Sequence, residues 1–428
     1  MLIDFSISRY TSFKDKATIS MEKSKIQQHP EHIISDNLLS GAVIYGANAS
    51  GKTNILQALK IFADIIKAPW LGNINPIQLL VQNFFNKDQS ANPVFEVHFL
   101  KNGTKYSYTL SVYAGQIHTE RFCFQKGDKE ELLFERNQLN IKYGKTLSSS
   151  WYNKDKTAQP FVPWISSLEA YYGVIPNKID GYEHIKAALD FFHSIEYINE
   201  KSVTVGEQFY KAFQTETFRT FLVKLLHNAD IGIENVMFED VPTPALSINS
   251  PVITLNPGEH IAQVTTDRLF VFSNENNQIK CKQLMIKHSG CDIPFELAYE
   301  SAGTQKLIHL SLSLFMQKQL EKILLLDELD SLLHPLITEA ILNMLLNDNG
   351  KGQIIAALHN TYLLSHKIWR VDEIWFTEKN SNGESRIYPL TDINPRFDKN
   401  LERDYINGKY GAIPFPGGEK QWQEMFPE

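Results

Sequence analysis

"GANASGKT", residues 46–53, comes directly after the apolar run "AVIY" and directly before a segment whose apolar residues fall on one helical face. Its spacing, G-x-x-x-x-G-K-T, is that of a phosphate-binding loop. Glycine lets successive backbone N–H groups turn inward around an anion. The lysine reaches the β and γ oxygens, and the threonine hydroxyl offers a ligand to Mg²⁺. Gly46, Asn48, Gly51, Lys52, Thr53 and Asn54 are therefore the candidate nucleotide contacts. A glycine-containing turn can match this pattern by chance. The buried strand before it, and Ile55, Leu56, Leu59, Phe62, Ile65 and Ile66 at helical spacing after it, argue against chance. What the energy of the nucleotide is used for has to come from the rest of the chain.

The metal side of such a site should be an acidic strand end, and "KILLLDELD", residues 322–330, supplies one. An apolar strand ending in Asp327-Glu328 puts one carboxylate near Mg²⁺ and the next near an attacking water, the pair that phosphoryl transfer needs. The bland reading is an acidic helix start; the loop at 46–53 makes it the weaker one. In "YESAGTQKL", residues 299–307, Ser301, Gly303 and Thr304 open a helix, where free N–H groups and the dipole favour an anion. Taken alone this is a capped helix; its place shortly before the acidic pair gives it weight. His359 ends the apolar strand in "AALHN" and can hydrogen-bond a γ-phosphate or the attacking water, or simply cap a strand on the surface.

Between these motifs the hydrophobic period changes. "LIDFSI" alternates like a half-buried strand, whereas "AVIY", "ILLL" and "IIAAL" are continuous apolar runs, as expected for strands buried on both faces. Over 93–136 the period is two, and Asn102-Gly103 marks a hairpin. Residues 138–163 are polar and read as an exposed loop. Helical spacing covers 164–228, and short alternating segments, "PVITL", "RLFVFS" and "QLMIKH" among them, follow from 235 to 299. The block 300–390 reads helix, strand, helix, strand, helix, strand, and the tail beyond it is rich in proline, glycine and charge and is expected to wrap over the core. One nucleotide-binding sheet is thus interrupted by a long insertion and needs both halves of the chain.

A chain of 428 residues with 43% hydrophobic and 21% charged residues has room for two or three domains of ordinary soluble type. The net charge of −7 supplies no global basic field, so any contact with DNA or RNA would need a local patch. The lysines of "IKYGKTLSSSWYNKDKT" are the candidate patch, against the commoner reading of a solvated loop. Cys123, Cys281 and Cys291 are too few for a disulfide framework, so a reduced, cytoplasmic setting is expected. No apolar run approaches the roughly 18–20 residues of a membrane helix, and the start "MLIDFSISRY" does not read as a signal peptide. The spacing C-x₆-H-x₂-C at Cys281, His288 and Cys291 offers three metal ligands without a fourth and reads as coincidence.

Taken together, "GANASGKT" as Walker A, "SAGT" as signature, "ILLLDE" as Walker B, "LDSLLHP" as D-loop and the histidine of "LHN" as switch resemble the ATP-binding-cassette class of ATPases, in its RecF/SMC-like branch. The start "MLIDFSISRYTSFKDKATISM" and the tail "RFDKNLERDYINGKYGAIPF" resemble, more narrowly, the RloA-type ATPases found beside restriction and phage-defence genes. The resemblance implies an α/β fold: an ABC-type head with an antiparallel β subdomain and a helical and β-rich insertion. Residues 1–137 and 299–390 would form the two halves of the head, 138–298 the insertion and 391–428 a tail. ATP and Mg²⁺ are the implied ligands. Lys52, Thr53, Asp327, Glu328 and His359 of one head would face Ser301 and Gly303 of a second in a homodimer, with larger oligomers open. Thr53 and Asp327 would serve the metal, Glu328 and His359 the catalysis. "SAGT" departs from the S-G-G-Q of transporters at Ala302 and Thr304. Gln82, Gln116 and Gln125 are candidates for the glutamine loop, and Arg9, Tyr10 and Phe13 could flank the adenine.

The leading expectation is an ATPase subunit of a bacterial defence system, acting as sensor and scaffold for a separate effector of nuclease type, without membrane contact. The alternative is a RecF-like clamp that grips DNA, which would need a basic face. A built-in nuclease with a Toprim domain after the ATPase is not expected from so short a stretch beyond 390, and a transporter motor would lack this insertion.

Overall fold

A computed structural model of the chain describes residues 1–67, 92–147, 158–172, 180–204, 206–229, 232–242, 255–256, 259–347, 352–393 and 400–414. The continuous apolar runs lie side by side. They form a six-stranded sheet in the order Ile195–Ile198, Ile323–Asp327, Gln353–Ala357, Gly41–Gly46, Ile374–Lys379, Ser385–Pro389. The pairs from Ile323–Asp327 through Ile374–Lys379 are parallel, and Ser385–Pro389 closes the edge antiparallel. Every residue of Ile323–Asp327 and Gln353–Ala357 is buried, which is why neither shows alternation.

The alternating segments build a separate seven-stranded sheet, ordered Asn140–Tyr143, Lys129–Asn137, Gln116–Lys126, Thr104–Tyr113, Val94–Lys101, Leu2–Ser8, Ala17–Ser20. Its hairpin at Asn102-Gly103 has both central residues at positive φ, 51° and 76°, the twist that suits two antiparallel strands. Leu2–Ser8 belongs to this sheet and not to the nucleotide-binding one. The helix Lys52–Lys67 lies in one apolar core with residues of both sheets. Phe62 shows why it sits there: its ring meets Phe5, Phe95, Tyr108 and Phe192 at centroid distances of 5.2–6.3 Å. A fully buried ion pair, Arg136 with Glu120 at 3.6 Å, is satisfied on all sides. The carboxylate also accepts from Tyr108 and from the N–H groups of Trp164 and Ile165, where the helix Trp164–Tyr172 begins.

By internal contacts the chain falls into two compact units. The larger comprises Met1–Tyr197, Leu320–Glu328 and Leu342–Glu428, the smaller Ile198–Gln319 and Leu329–Ile341. The smaller unit pairs the strands Ile233–Val241, Gln278–His288, Leu269–Glu275 and His260–Val264 antiparallel. Its helices include Gly206–Phe213, Glu216–Ala229 and most of Ala302–Leu320, and Phe218 packs edge-on against Phe315.

Three expectations need correction. The segment 138–163 is not wholly a loop, since Asn140–Tyr143 adds a strand to the large sheet. The helical stretch 164–228 is broken by the strand Ile195–Ile198. Between Ala357 and Ile374 the chain makes the 3-10 turns Thr361–Leu363 and Val371–Glu373 where a helix was expected. Most of "PVITL", most of the lysine-rich loop, Gln82 and the end of the tail lie outside the described residues. The described tail packs as expected: in the helix Leu401–Ile406, Tyr405 stacks on Phe376 at 5.5 Å. No helix among the described residues is long and apolar enough to cross a membrane.

Candidate active site

The strand Gly41–Gly46 delivers the chain into the phosphate loop and the helix Lys52–Lys67 carries it away. Both loop glycines are required. A Cβ on Gly46 would lie 2.4 Å from the Thr377 carbonyl oxygen and 2.6 Å from Ser50 Oγ. Gly51 has φ +119° and would press a Cβ against Ser385 Oγ at 2.9 Å. Hydroxyls brace the loop: Ser50 Oγ lies 2.7 Å from Thr377 Oγ1, and Ser385 donates to Ser12 Oγ. Asn54 joins this network, its amide donating to Ser12 Oγ at 2.8 Å, while Asn48 is exposed at the loop. Lys52 is buried, and its ammonium donates to the carbonyls of Gly46 at 2.7 Å and Ala47 at 3.1 Å. The cation is thus held over the loop's own backbone. The first-turn N–H groups, which have no partner within the helix, complete an anion cradle.

At the edge of the same sheet, Thr53 Oγ1 donates to Asp327 Oδ1 at 3.1 Å, joining residues far apart in sequence. The threonine hydroxyl keeps lone pairs and the carboxylate further acceptor sites, an all-oxygen donor set of the kind Mg²⁺ takes beside phosphates. These residues therefore fit a magnesium nucleotide. Tyr197 donates its hydroxyl to the other carboxylate oxygen, Oδ2, at 2.7 Å. Glu328, the next residue, has φ +58°, a left-handed backbone that costs a residue with a Cβ about 1–2 kcal/mol. Its N–H donates to Ala357 O at 3.1 Å, so the neighbouring strand holds that backbone in place. Its half-exposed carboxylate lies 3.6 Å from His359 Nε2. The reason is topological: His359 follows the strand Gln353–Ala357, which lies between the strand of Gly46 and that of Asp327. All three strands end at one edge, where open parallel sheets bind ligands.

Ser301 and Gly303 lie in the smaller unit. Ser301 Oγ accepts from the Thr304 N–H at 3.1 Å, so the serine is the N-cap of Ala302–Leu320. A Cβ on Gly303 would come within 2.9 Å of the Leu332 carbonyl oxygen, so the glycine permits a close approach of the "LDSLLHP" loop. The buried Lys306 ties the same two elements, donating to Leu329 O, Ser331 O and Ser331 Oγ at 2.8–3.1 Å.

Three groups were missed by sequence reasoning: Tyr197, Ser12 and Lys306. None carries a local pattern, since each meets its partner through the fold. Other candidates do not assemble. Gln116 and Gln125 are exposed on a strand of the antiparallel sheet, away from the strands of the loop and the acidic pair. Tyr10 and Phe13 are core residues bridged to each other, Tyr10 against Phe95, and only Arg9 of that trio is exposed. Cys281 and His288 lie near opposite ends of one strand, and His288 is engaged by Glu300 at 2.7 Å.

A family model described as "AAA domain, putative AbiEii toxin, Type IV TA system" matches residues 42–365, well over half of the chain. Among solved structures, the SMC head domain from Thermotoga maritima is 14% identical. The match covers 91% of this chain and 98% of that one, with a TM-score of 0.41. An SMC head bound to the C-winged helix domain of ScpA is 12% identical over 90% of this chain and 96% of that one, with a TM-score of 0.43. No curated protein matches the sequence.

Proposed function

The chain belongs to the AAA-domain family described as putative AbiEii toxin, Type IV TA system, and on that premise we propose how this P-loop ATPase of ABC/SMC-like kind works. It binds and hydrolyses ATP with Mg²⁺ at composite sites of a head-to-tail homodimer. It serves as sensor and scaffold of a bacterial anti-phage system, governing a separate effector of nuclease type. The observation that carries the chemical part is the bond between Thr53 and Asp327 at 3.1 Å, with Glu328 and His359 together at the same sheet edge. The defence setting rests on the family's description and on the resemblance of both chain ends to RloA-type ATPases.

In this reading the glycine loop and Lys52 bind the β and γ phosphates, and Thr53 and Asp327 hold the metal. Mg²⁺, when bound, neutralises charge on the phosphate oxygens. Glu328 orients the attacking water and accepts its proton, and His359, 3.6 Å from that carboxylate, holds it in place and faces the γ-phosphate. Ser301 and Gly303 of the second protomer present a helix N-terminus to the same nucleotide.

Glu328→Gln tests the reading. It keeps the shape but cannot take a proton, so turnover should fall about 10²–10⁴-fold while ATP affinity is kept. The variant should accumulate with ATP as a dimer, measurable by light scattering, and purified wild-type protein should leave DNA and RNA uncut. Cleavage by the isolated chain, lost in Glu328→Gln, would refute the separate effector.

A further inference from the structure

The residue that the acidic pair does not announce is Tyr197. It stands in the strand Ile195–Ile198, the neighbour of Ile323–Asp327 in the six-stranded sheet. The strand is also pinned at its start, where Lys67, at the far end of the phosphate-loop helix, donates to Ile195 O at 3.1 Å. Tyr197 is only partly buried, so water could satisfy its hydroxyl. Its bond of 2.7 Å to Asp327 Oδ2 is therefore not forced by burial.

That bond has a geometric consequence. The carboxylate of an aspartate turns easily about its last torsion, which has broad, roughly two-fold preferences. A single donor on one oxygen leaves this rotation soft. Here Thr53 Oγ1 donates to Oδ1 and Tyr197 to Oδ2, so the two oxygens are held by different hydroxyls from separate elements of the fold. A carboxylate accepts about four hydrogen bonds, so each oxygen still has a site for a metal or a metal-bound water.

We propose that Tyr197 is a positioning residue for the metal site: its hydroxyl fixes the plane of the Asp327 carboxylate so that Mg²⁺ finds its ligand already oriented. In this role it acts on the metal through Asp327, the carboxylate its hydroxyl holds. Partners that orient ligating groups in this way typically carry about 10–100-fold of metal affinity. The inference rests on the nucleotide-site reading above and names a group that reading does not contain. It also gives the strand a purpose, because Tyr197 is the last residue of the larger unit before Ile198 opens the smaller one. Beyond it, the chain makes a tight turn in which the Asn199 side chain accepts from Lys201 N and Ser202 Oγ, both at 3.0 Å. The anchor therefore sits at the joint through which the chain leaves the metal site.

Tyr197→Phe separates this role from packing, because it keeps the ring and removes only the hydroxyl. Manganese uptake, measured by electron paramagnetic resonance with full-length protein and the non-hydrolysable analogue AMP-PNP, should need about tenfold more Mn²⁺ in the variant. AMP-PNP binding in EDTA, and the melting temperature of the nucleotide-free protein, should stay at wild-type values. A merely structural tyrosine would move the melting temperature and leave the manganese curve in place, which overturns the inference while sparing the nucleotide site. Wild-type protein that takes up no manganese with AMP-PNP would overturn the site reading and this inference together.

Discussion

Lys52 is the residue on which nucleotide binding turns. Its ammonium is buried and donates to the neutral carbonyls of Gly46 and Ala47 in its own loop. A phosphate is a far better partner for a desolvated cation than a carbonyl, so the side chain is poised to exchange one for the other. Lys52→Ala should lower ATP affinity about a hundredfold or more, read by equilibrium binding of labelled ATP. Binding at wild-type strength would mean that the phosphates sit elsewhere. At this scale the sequence was legible where chemistry and spacing coincide, as in Gly46 to Thr53 and Asp327-Glu328. It was silent where a contact has no local trace. Tyr197 and Asp327 are 130 residues apart, and nothing in "IEYI" distinguishes a tyrosine that holds a carboxylate from one that fills a core.

Among the elements, the phosphate-loop helix is clamped at both ends, by Thr53 at its start and Lys67 at its finish. Burial pulls the Lys67 amine down from 10.5 to about 8. The folded state thus disfavours the charged form, and the sign of the pH effect follows. Below pH 8 both states carry the proton and the penalty is constant; between about 8 and 10.5 the unfolded chain binds more protons, so stability from this group rises with pH. Relative to wild type, Lys67→Met should therefore lose melting temperature as pH rises through that window. A constant difference across it would show that the amine titrates normally. The strand next to this clamp, Ile195–Ile198, escaped sequence reading for a physical reason. It follows the helix Tyr182–Ser194 without a break, and Phe191, Phe192, Ile195 and Ile198 keep the three- and four-residue spacing of a helix. The long parallel strands were legible because burial on both faces leaves them apolar throughout. The 3-10 turns after Ala357 were not, because Leu364 and Ile368, four residues apart, imitate one helical face.

At the scale of the whole molecule, the proposed nucleotide site is divided. The loop, Asp327, Glu328 and His359 belong to the larger unit, and Ser301 and Gly303 belong to the smaller. If the second set acts on the nucleotide of the other protomer, then a defect in either set is carried by a different subunit from the site it disables. Lys52→Ala and Ser301→Arg should each be inactive alone. Mixed, they form some dimers in which an intact loop faces an intact signature. With equal amounts, free exchange and independent sites, about a quarter of all sites are competent. The direct measurement is ATP hydrolysis by that equal mixture after exchange of subunits. Recovery to about a quarter of wild-type activity is the predicted result. A mixture as inactive as its two parents, or a Ser301→Arg protein that hydrolyses ATP at the wild-type rate by itself, would contradict the composite site.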